Sequence, residues 1–185
     1  MCEELSDFLS VTSLFRLDNN TAQLLLRAKD QNDAVSRWIL ESLVKVALHR
    51  RMKEIITSQK VSHIVISPIR KERVMNGGWH PAHLIEQVCK SFPQRVIVPT
   101  IDGVERQASF SAKERLVRQQ NPRLIYPQKR SLDGECVDGV LFVDDVLTTG
   151  GSAQRARKVL PHTFIFADWH ILTLFRAPLS CCSTP

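Results

Sequence analysis

One stretch decides the fold that we predict, Val140-Leu141-Phe142-Val143-Asp144-Asp145-Val146-Leu147-Thr148-Thr149-Gly150-Gly151-Ser152. It joins an apolar run, two carboxylates, a run rich in small hydroxyl and glycine residues, and the start of a helical pattern. Such apolar runs are typical of strands that are buried on both faces of a parallel sheet. In open α/β sheets, ligands bind beyond the carboxyl ends of the strands. The stretch therefore predicts a strand over 137–143 that ends at a binding site.

The loop after this strand offers hydrogen-bond acceptors at one end and donors at the other. Glycines let the backbone approach an anion and adopt positive φ, and the unpaired N–H groups that begin a helix attract phosphate. The predicted phosphate-binding residues are Thr148, Thr149, Gly150, Gly151 and Ser152. Asp144 and Asp145 would accept hydrogen bonds from vicinal hydroxyls. The loop therefore suits a phosphorylated ribose.

The loop allows two other interpretations. A P-loop requires G-x-x-x-x-G-K-[ST], and this loop has no lysine, so a nucleotide triphosphatase is disfavoured. A plain strand–turn–helix junction would need no ligand, and an Asp-Asp pair alone does not exclude it. Two adjacent acids buried without partners would be costly, however, which favours a ligand.

Strands that alternate with helices predict an α/β domain with a mostly parallel sheet flanked by helices. The predicted strands cover 61–66, 95–99, 123–126, 137–143 and 170–175, and 10–17 is predicted as a short strand or an extended entry segment. The predicted helices cover 20–29, with Asn20 as a weak N-cap, 33–59, 79–90, 111–120 and 151–160. On the long second helix, one apolar set recurs at helical spacing and predicts the core face. Its members are Val35, Trp38, Ile39, Ser42, Leu43, Val46, Met52, Ile55 and Ile56.

Composition indicates one globular domain of 185 residues, with 43% hydrophobic and 24% charged residues. No apolar run approaches the roughly 20 residues of a membrane helix, so no membrane insertion is expected. The acidic start Cys2-Glu3-Glu4 is unlike a secretory signal, and the five cysteines show no zinc spacing, so we predict a cytoplasmic protein with free thiols. The net charge of +6 favours anionic partners.

The string Val143–Ser152 resembles the signature with which type I phosphoribosyltransferases bind 5-phosphoribosyl 1-pyrophosphate (PRPP). The resemblance implies that Asp144 and Asp145 hold the ribose hydroxyls and that the Thr148–Ser152 loop holds the 5-phosphate. It also implies Mg²⁺ as a cofactor, held mainly by PRPP itself. The expected reaction is phosphoribosyl transfer to an unidentified acceptor, with release of pyrophosphate.

Two further segments are similar to the ComF branch of this family, the competence-type proteins related to amidophosphoribosyltransferases. The basic segment after the second strand implies pyrophosphate binding by Pro68, Ile69, Arg70, Lys71 and Arg73, ahead of Gly77-Gly78-Trp79. The segment 106–115 resembles the mobile loop of that branch. With Asp144 and Asp145, it implies the catalytic residues Arg106, Ser109 and Arg115. The four-cysteine zinc module with which that branch begins does not occur in this sequence.

The resemblance implies a type I phosphoribosyltransferase fold in one domain over 1–185. It divides the chain into a helical front with part of a hood (1–60), a core (61–176) and a tail (177–185), and the hood is expected from 10–30 and 165–180. Two alternatives stay open: a non-catalytic PRPP sensor, and a DNA-uptake accessory that contacts single-stranded DNA or competence proteins. A homodimer is also possible. Lys29 is expected on the surface, Trp38 in the core, and His80 and His83 on one helix face.

Overall fold

The computed structural model describes residues 6–67, 69–70, 79–98, 100–101, 124–125, 136–148 and 150–177. The strands are β1 (Ser10–Arg16), β2 (Val61–Ile66), β3 (Ile69–Arg70), β4 (Arg95–Ile97), β5 (Thr100–Ile101), β6 (Leu124–Ile125), β7 (Gly139–Leu147) and β8 (Asp168–Arg176). The α-helices are α1 (Asn19–Asp30), α2 (Ala34–Ser58), α3 (Pro81–Cys89) and α4 (Gly151–Val159), and a 3₁₀ turn covers His162–Phe164. No helix among these residues is both long enough and apolar enough to span a bilayer.

The main sheet has five parallel strands in the order β1-β8-β7-β2-β4. After β2 the chain continues towards β4 on one side, whereas after β7 it continues to β8 on the other. The order therefore reverses between β2 and β7, which is the place where sheets of this kind open a ligand-binding crevice. Residues 69–70, expected in a basic turn, instead form β3 of a small second sheet, β3-β5-β6. The α/β prediction with a mainly parallel sheet is confirmed.

Apolar side chains cover both faces of the main sheet. One cluster joins α1, α2 and α3 to side chains such as Ile64, Leu141 and Leu172. The other joins α4 and the 3₁₀ turn to Phe142, Trp169 and Phe164. Alternate residues of β7 enter opposite clusters, as the two-residue period of a strand requires. The strand was predicted over 137–143 but continues to Leu147, so both acids lie within β7.

Helix α1 begins at a different residue from the one predicted. Its N-cap is Asp18, whose carboxylate accepts a hydrogen bond from the Thr21 N–H at 2.8 Å, while the Thr21 hydroxyl accepts from the Asp18 N–H at 2.9 Å. Threonine at the third helical position thus completes a reciprocal cap usually made with Glu or Gln. The prediction of Asn20 as N-cap was wrong because it relied on Gln23 in that role.

Helix α2 matches its predicted range, but its core face was predicted wrongly. The buried residues are Ser36, Leu40, Val44, Leu48, Met52 and Ile55. Of the predicted face, only Met52 and Ile55 are buried, and Trp38 is 68% exposed. The helix carries apolar residues on both sides, so the period of 3.6 residues identifies a helix without showing which side packs on the sheet.

The expected hood is largely part of the main sheet. Residues 10–16 form β1 at the sheet edge, and 168–176 form β8 beside it, in register from Ser10 with His170 to Arg16 with Arg176. Only α1, among the described parts of the predicted hood, lies outside the sheet. The predicted helix over 111–120 falls outside the described residues.

Candidate functional site

The site lies at the carboxyl end of β7, beside the end of β2. Val143 pairs with Ile66, and the Ser67 N–H donates to the Val143 carbonyl at 2.8 Å. Asp144 and Asp145 follow immediately. The acid pair therefore occupies the point at which the strand order reverses, which is where the sequence analysis expected a ligand.

A small cavity of about 110 Å³ opens between the end of β7, the start of α4 and β8. Its volume is several times the roughly 10–15 Å³ that a single water molecule requires, so a small polar group can enter. The polar lining residues are Asp144, Thr148, Gly150, Gly151, Ser152, Arg155 and Thr173. Four of the five predicted phosphate-binding residues thus share one cavity with one of the predicted ribose-binding acids. The fifth, Thr149, lies outside the described residues.

Gly150 shapes the start of α4. It is the N-cap residue with φ 87° and ψ 0°, a left-handed conformation, and it makes no side-chain cap. Gly150 contributes no side chain that would occupy the start of the helix, and the positive end of the helix dipole attracts an anion there. The sequence prediction that a glycine is needed here is consistent with this backbone angle.

Replacing Gly150 by alanine is expected to lower the free energy of unfolding by about 1–2 kcal/mol, because a β-carbon is strained at positive φ. Gly151, in the first turn of α4, is the matched control: it lacks a positive φ, so Gly151→Ala should leave the stability unchanged or slightly higher. Urea unfolding of both variants measures the difference. If both variants lose the same free energy of unfolding, the positive φ is not the reason why position 150 requires glycine.

Asp144 is only 9% exposed. Burial, together with the neighbouring Asp145 charge, raises the pKa of Asp144 to about 8, and hydrogen bonds from the Ser67 side chain and the Asp145 N–H oppose this rise. The N–H of Asp145 donates to Asp144 Oδ1 at 2.8 Å. The carboxyl group is therefore held in a fixed place beside the cavity, and it takes up a proton far more readily than an exposed aspartate.

Asp145 has a different environment because Lys29 of α1 contacts it. Lys29 Nζ lies 2.7 Å from Asp145 Oδ2, with side-chain exposures of 18% and 16%. Burial alone would raise the pKa of Asp145, but the Lys29 charge and hydrogen bond outweigh it and hold the pKa below its usual value. The expectation of Lys29 as a surface residue was wrong. The two acids therefore differ: Asp145 is ionised and paired, whereas Asp144 faces the cavity.

Arg155 brings a positive charge to the cavity that the sequence analysis did not assign to the site. From the second turn of α4, its Nε donates to the Gly151 carbonyl at 3.1 Å. Burial lowers the pKa of Arg155, and the Asp144 charge opposes that shift. The spacing of Arg155 four residues after Gly151, on the same side of one helical turn, is the sequence signal that could have revealed it.

Trp79 connects the start of α3 to α2. Its indole Nε1 donates to Glu41 Oε1 at 2.7 Å, and its ring packs partly buried against the first apolar cluster. His80 is the N-cap of α3 and accepts from the Ala82 N–H at 3.1 Å. His80 therefore lies outside the helix that contains His83, so the predicted shared helix face was wrong.

The remaining predicted site residues are only partly described. Ile69 and Arg70 have a described backbone in β3. Pro68, Lys71, Arg73, Arg106, Ser109 and Arg115 lie outside the described residues. Where the structure is described, no three His, Cys, Asp or Glu side chains group closely enough to hold a metal ion.

Neither a scan against protein-family models nor a search of curated proteins finds a match for this chain. What the site binds is therefore inferred from its own geometry and chemistry.

Proposed function

We propose that the chain is a PRPP- and Mg²⁺-binding protein of the type I phosphoribosyltransferase class, close to its ComF branch. One observation supports this most strongly: a single cavity joins Asp144 to the uncapped start of α4 at Gly150. A carboxylate suits ribose hydroxyls, and a helix start with hydroxyl donors suits a phosphate. A ribose 5-phosphate carries both kinds of group.

In the proposed reaction, the chain positions PRPP and stabilises charge. The first N–H groups of α4, with Thr148 and Ser152, hold the 5-phosphate, and Arg155 adds a positive charge beside it. When pyrophosphate leaves, positive charge develops on the ribose carbon, and a nearby carboxylate stabilises it. Because Lys29 neutralises Asp145, this role falls to Asp144 in its ionised form. Burial raises the pKa of Asp144 to about 8, and a bound cation favours loss of its proton. Pyrophosphate binding at Pro68–Arg73 and loop closure by Arg106–Arg115 remain predictions.

The site suits a magnesium ion that the substrate itself holds. Mg²⁺ prefers oxygen ligands and keeps several waters, so one or two carboxylates suffice beside substrate phosphates. Of the two acids here, Asp145 is engaged by Lys29, which leaves Asp144 as the carboxylate able to face such an ion. When bound, Mg²⁺ supplies positive charge to the pyrophosphate.

Calorimetric titration of PRPP tests this proposal. Wild type is expected to bind PRPP in the presence of Mg²⁺, more tightly than ribose 5-phosphate or inorganic phosphate, and Asp144→Asn/Asp145→Asn is expected not to bind. Loss of one charge-assisted acceptor, the Asp144 carboxylate, at about 1.5–3 kcal/mol corresponds to a loss in affinity of about 10–100-fold. Loss of the Asp145 carboxylate also leaves Lys29 without its partner beside the site. Asp138→Asn is the control, since Asp138 is exposed and precedes the opposite end of β7.

The outcomes separate binding from turnover. PRPP binding followed by pyrophosphate release with one acceptor in a screen of bases identifies a transferase. PRPP binding without pyrophosphate release for any acceptor in the screen identifies a non-catalytic PRPP sensor. Equal binding by wild type and the double variant would contradict the assignment of the acid pair.

A further inference from the structure

Helix α2 carries a second apolar face that the described parts of the chain leave exposed. Val35, Trp38, Leu43 and Val46 are all more than half exposed, up to 72% at Val46. Ile39 lies between them and is half-buried. The opposite side of the helix already packs on the sheet through Leu40, Val44 and Leu48 among others. We call the set Val35, Trp38, Ile39, Ser42, Leu43 and Val46 the α2 face.

The α2 face is self-complementary about its midpoint between Leu40 and Glu41. In an antiparallel helix pair with a two-fold axis there, Val35 meets Val46 of the other copy, Trp38 meets Leu43, and Ile39 meets Ser42. The largest side chain thus lies against a leucine, and the serine leaves room for the isoleucine. Two-fold interfaces require that one patch fit itself in this way, and neighbouring helices commonly pack nearly antiparallel.

The charges beyond the face complement each other in the same arrangement. Arg50 lies four residues after Val46 and its side chain is 83% exposed. It therefore falls opposite the turn four residues before Val35, where Asp30 is exposed and Asp33 is half-exposed. The two-fold axis makes this contact twice. A parallel pair would instead place Arg50 against Arg50, which is repulsive.

We propose that the α2 face is the contact through which two copies of this chain pair, with their α2 helices antiparallel. The inference does not depend on what the site binds. A single helix pair buries less than the roughly 800 Å² per partner of standard interfaces, so we expect dissociation in the micromolar range. The same helix also holds Trp79, at the start of α3, through Glu41.

Sedimentation equilibrium across a concentration series tests the dimer. Wild type is expected to dimerise, and Trp38→Glu is expected to raise the dissociation constant by roughly 30-fold or more, as loss of a central aromatic contact does. Phe166→Glu is the matched control because Phe166 is 82% exposed but lies outside α2. Circular dichroism checks that each variant is folded, which the exposure of both residues leads us to expect.

Cross-linking tests the antiparallel register. In a background with every cysteine except buried Cys89 changed to serine, Val35→Cys and Val46→Cys are expected to form a disulfide-linked dimer only when the two variant proteins are mixed. Within one helix the two positions are about 16 Å apart, so either variant alone brings its own thiols too far from each other.

Three outcomes would overturn the proposal. These are a monomer at every concentration, a dimer that survives Trp38→Glu, and cross-linking of either single variant with itself. A monomer that co-sediments with vesicles of anionic lipid through Trp38 would assign the α2 face to a membrane surface instead. A monomer that does not bind such vesicles would exclude both a second copy of the chain and a membrane surface as the partner of the α2 face.

Discussion

Replacing Asp144 by asparagine is expected to stabilise the protein while weakening its binding of PRPP. Asparagine has nearly the same shape and keeps an oxygen that accepts from the Asp145 N–H, but it cannot ionise. The folded protein holds a proton on Asp144 up to a pKa of about 8, whereas the unfolded chain releases it near pH 3.9. Wild type therefore loses stability from this group as the pH rises from about 4 to about 8.

The gain from Asp144→Asn should consequently depend on pH in a defined way. It should be small near pH 4, grow by at most about 1.4 kcal/mol per pH unit, and level off above pH 8. Urea unfolding at pH 5, 7 and 9 measures this difference. PRPP affinity measured at pH 9, where wild-type Asp144 is ionised, should fall about 10–100-fold because a charged acceptor is lost.

Asp138→Asn is the control for both measurements, since Asp138 is exposed and away from the acid pair. It should change neither the stability profile nor the affinity. If Asp144→Asn is less stable than wild type at pH 9, the buried acid is held by interactions that an amide cannot replace, and the raised pKa is wrong.

Replacing Lys29 by methionine is expected to lower the free energy of unfolding by about 3 kcal/mol near pH 8, because it leaves the Asp145 carboxylate buried without its cation. In wild type the lowered pKa of Asp145 stabilises the fold above pH 4 and loses that effect on acidification. In the variant, the Asp145 carboxylate can avoid the free-energy cost of a buried, unpaired charge by taking up a proton. The loss should therefore be smaller at pH 5 than at pH 8, which urea unfolding at the two values will show.

A second substitution distinguishes an uncompensated charge from lost packing. Lys29→Met/Asp145→Asn should recover most of the stability, because it removes the charge that Lys29 had neutralised. Lys90→Met is the matched control: Lys90 pairs with Glu86 at 2.8 Å, but its side chain is exposed, so its loss should cost less than about 1 kcal/mol. No recovery in the double variant would assign the effect of Lys29 to packing.

The sequence was sufficient to predict the features that depend only on residues close together along the chain. The apolar run before Asp144 identified a buried parallel strand. Both glycines of the following loop were expected to adopt a positive φ, which Gly150 has and Gly151, in the first turn of α4, does not. The position of the site followed from a general rule, that parallel strands present ligands at their carboxyl ends. These inferences needed no knowledge of which distant residues meet.

The features that were missed depend on contacts between distant segments. Lys29 and Asp145 are 116 positions apart and form a pair only because α1 lies beside the end of β7. The orientation of α2 was undecidable because both of its sides are apolar, and only the sheet beneath it selects Leu40 and Val44 over Trp38. The hood was misplaced because nothing local shows that 10–16 adds to the sheet edge.

The pairing of β1 with β8 also bears on how the chain is made. The main sheet cannot be completed until 168–176 have left the ribosome, since among the described strands β1 pairs with β8 alone. At a translation rate of about 5–20 residues per second, roughly ten to thirty seconds pass between the synthesis of Ser10–Arg16 and that of its partner strand β8. During synthesis, this segment remains an unpaired strand that other chains could bind. Chaperone demand should therefore last until 168–176 have been synthesised.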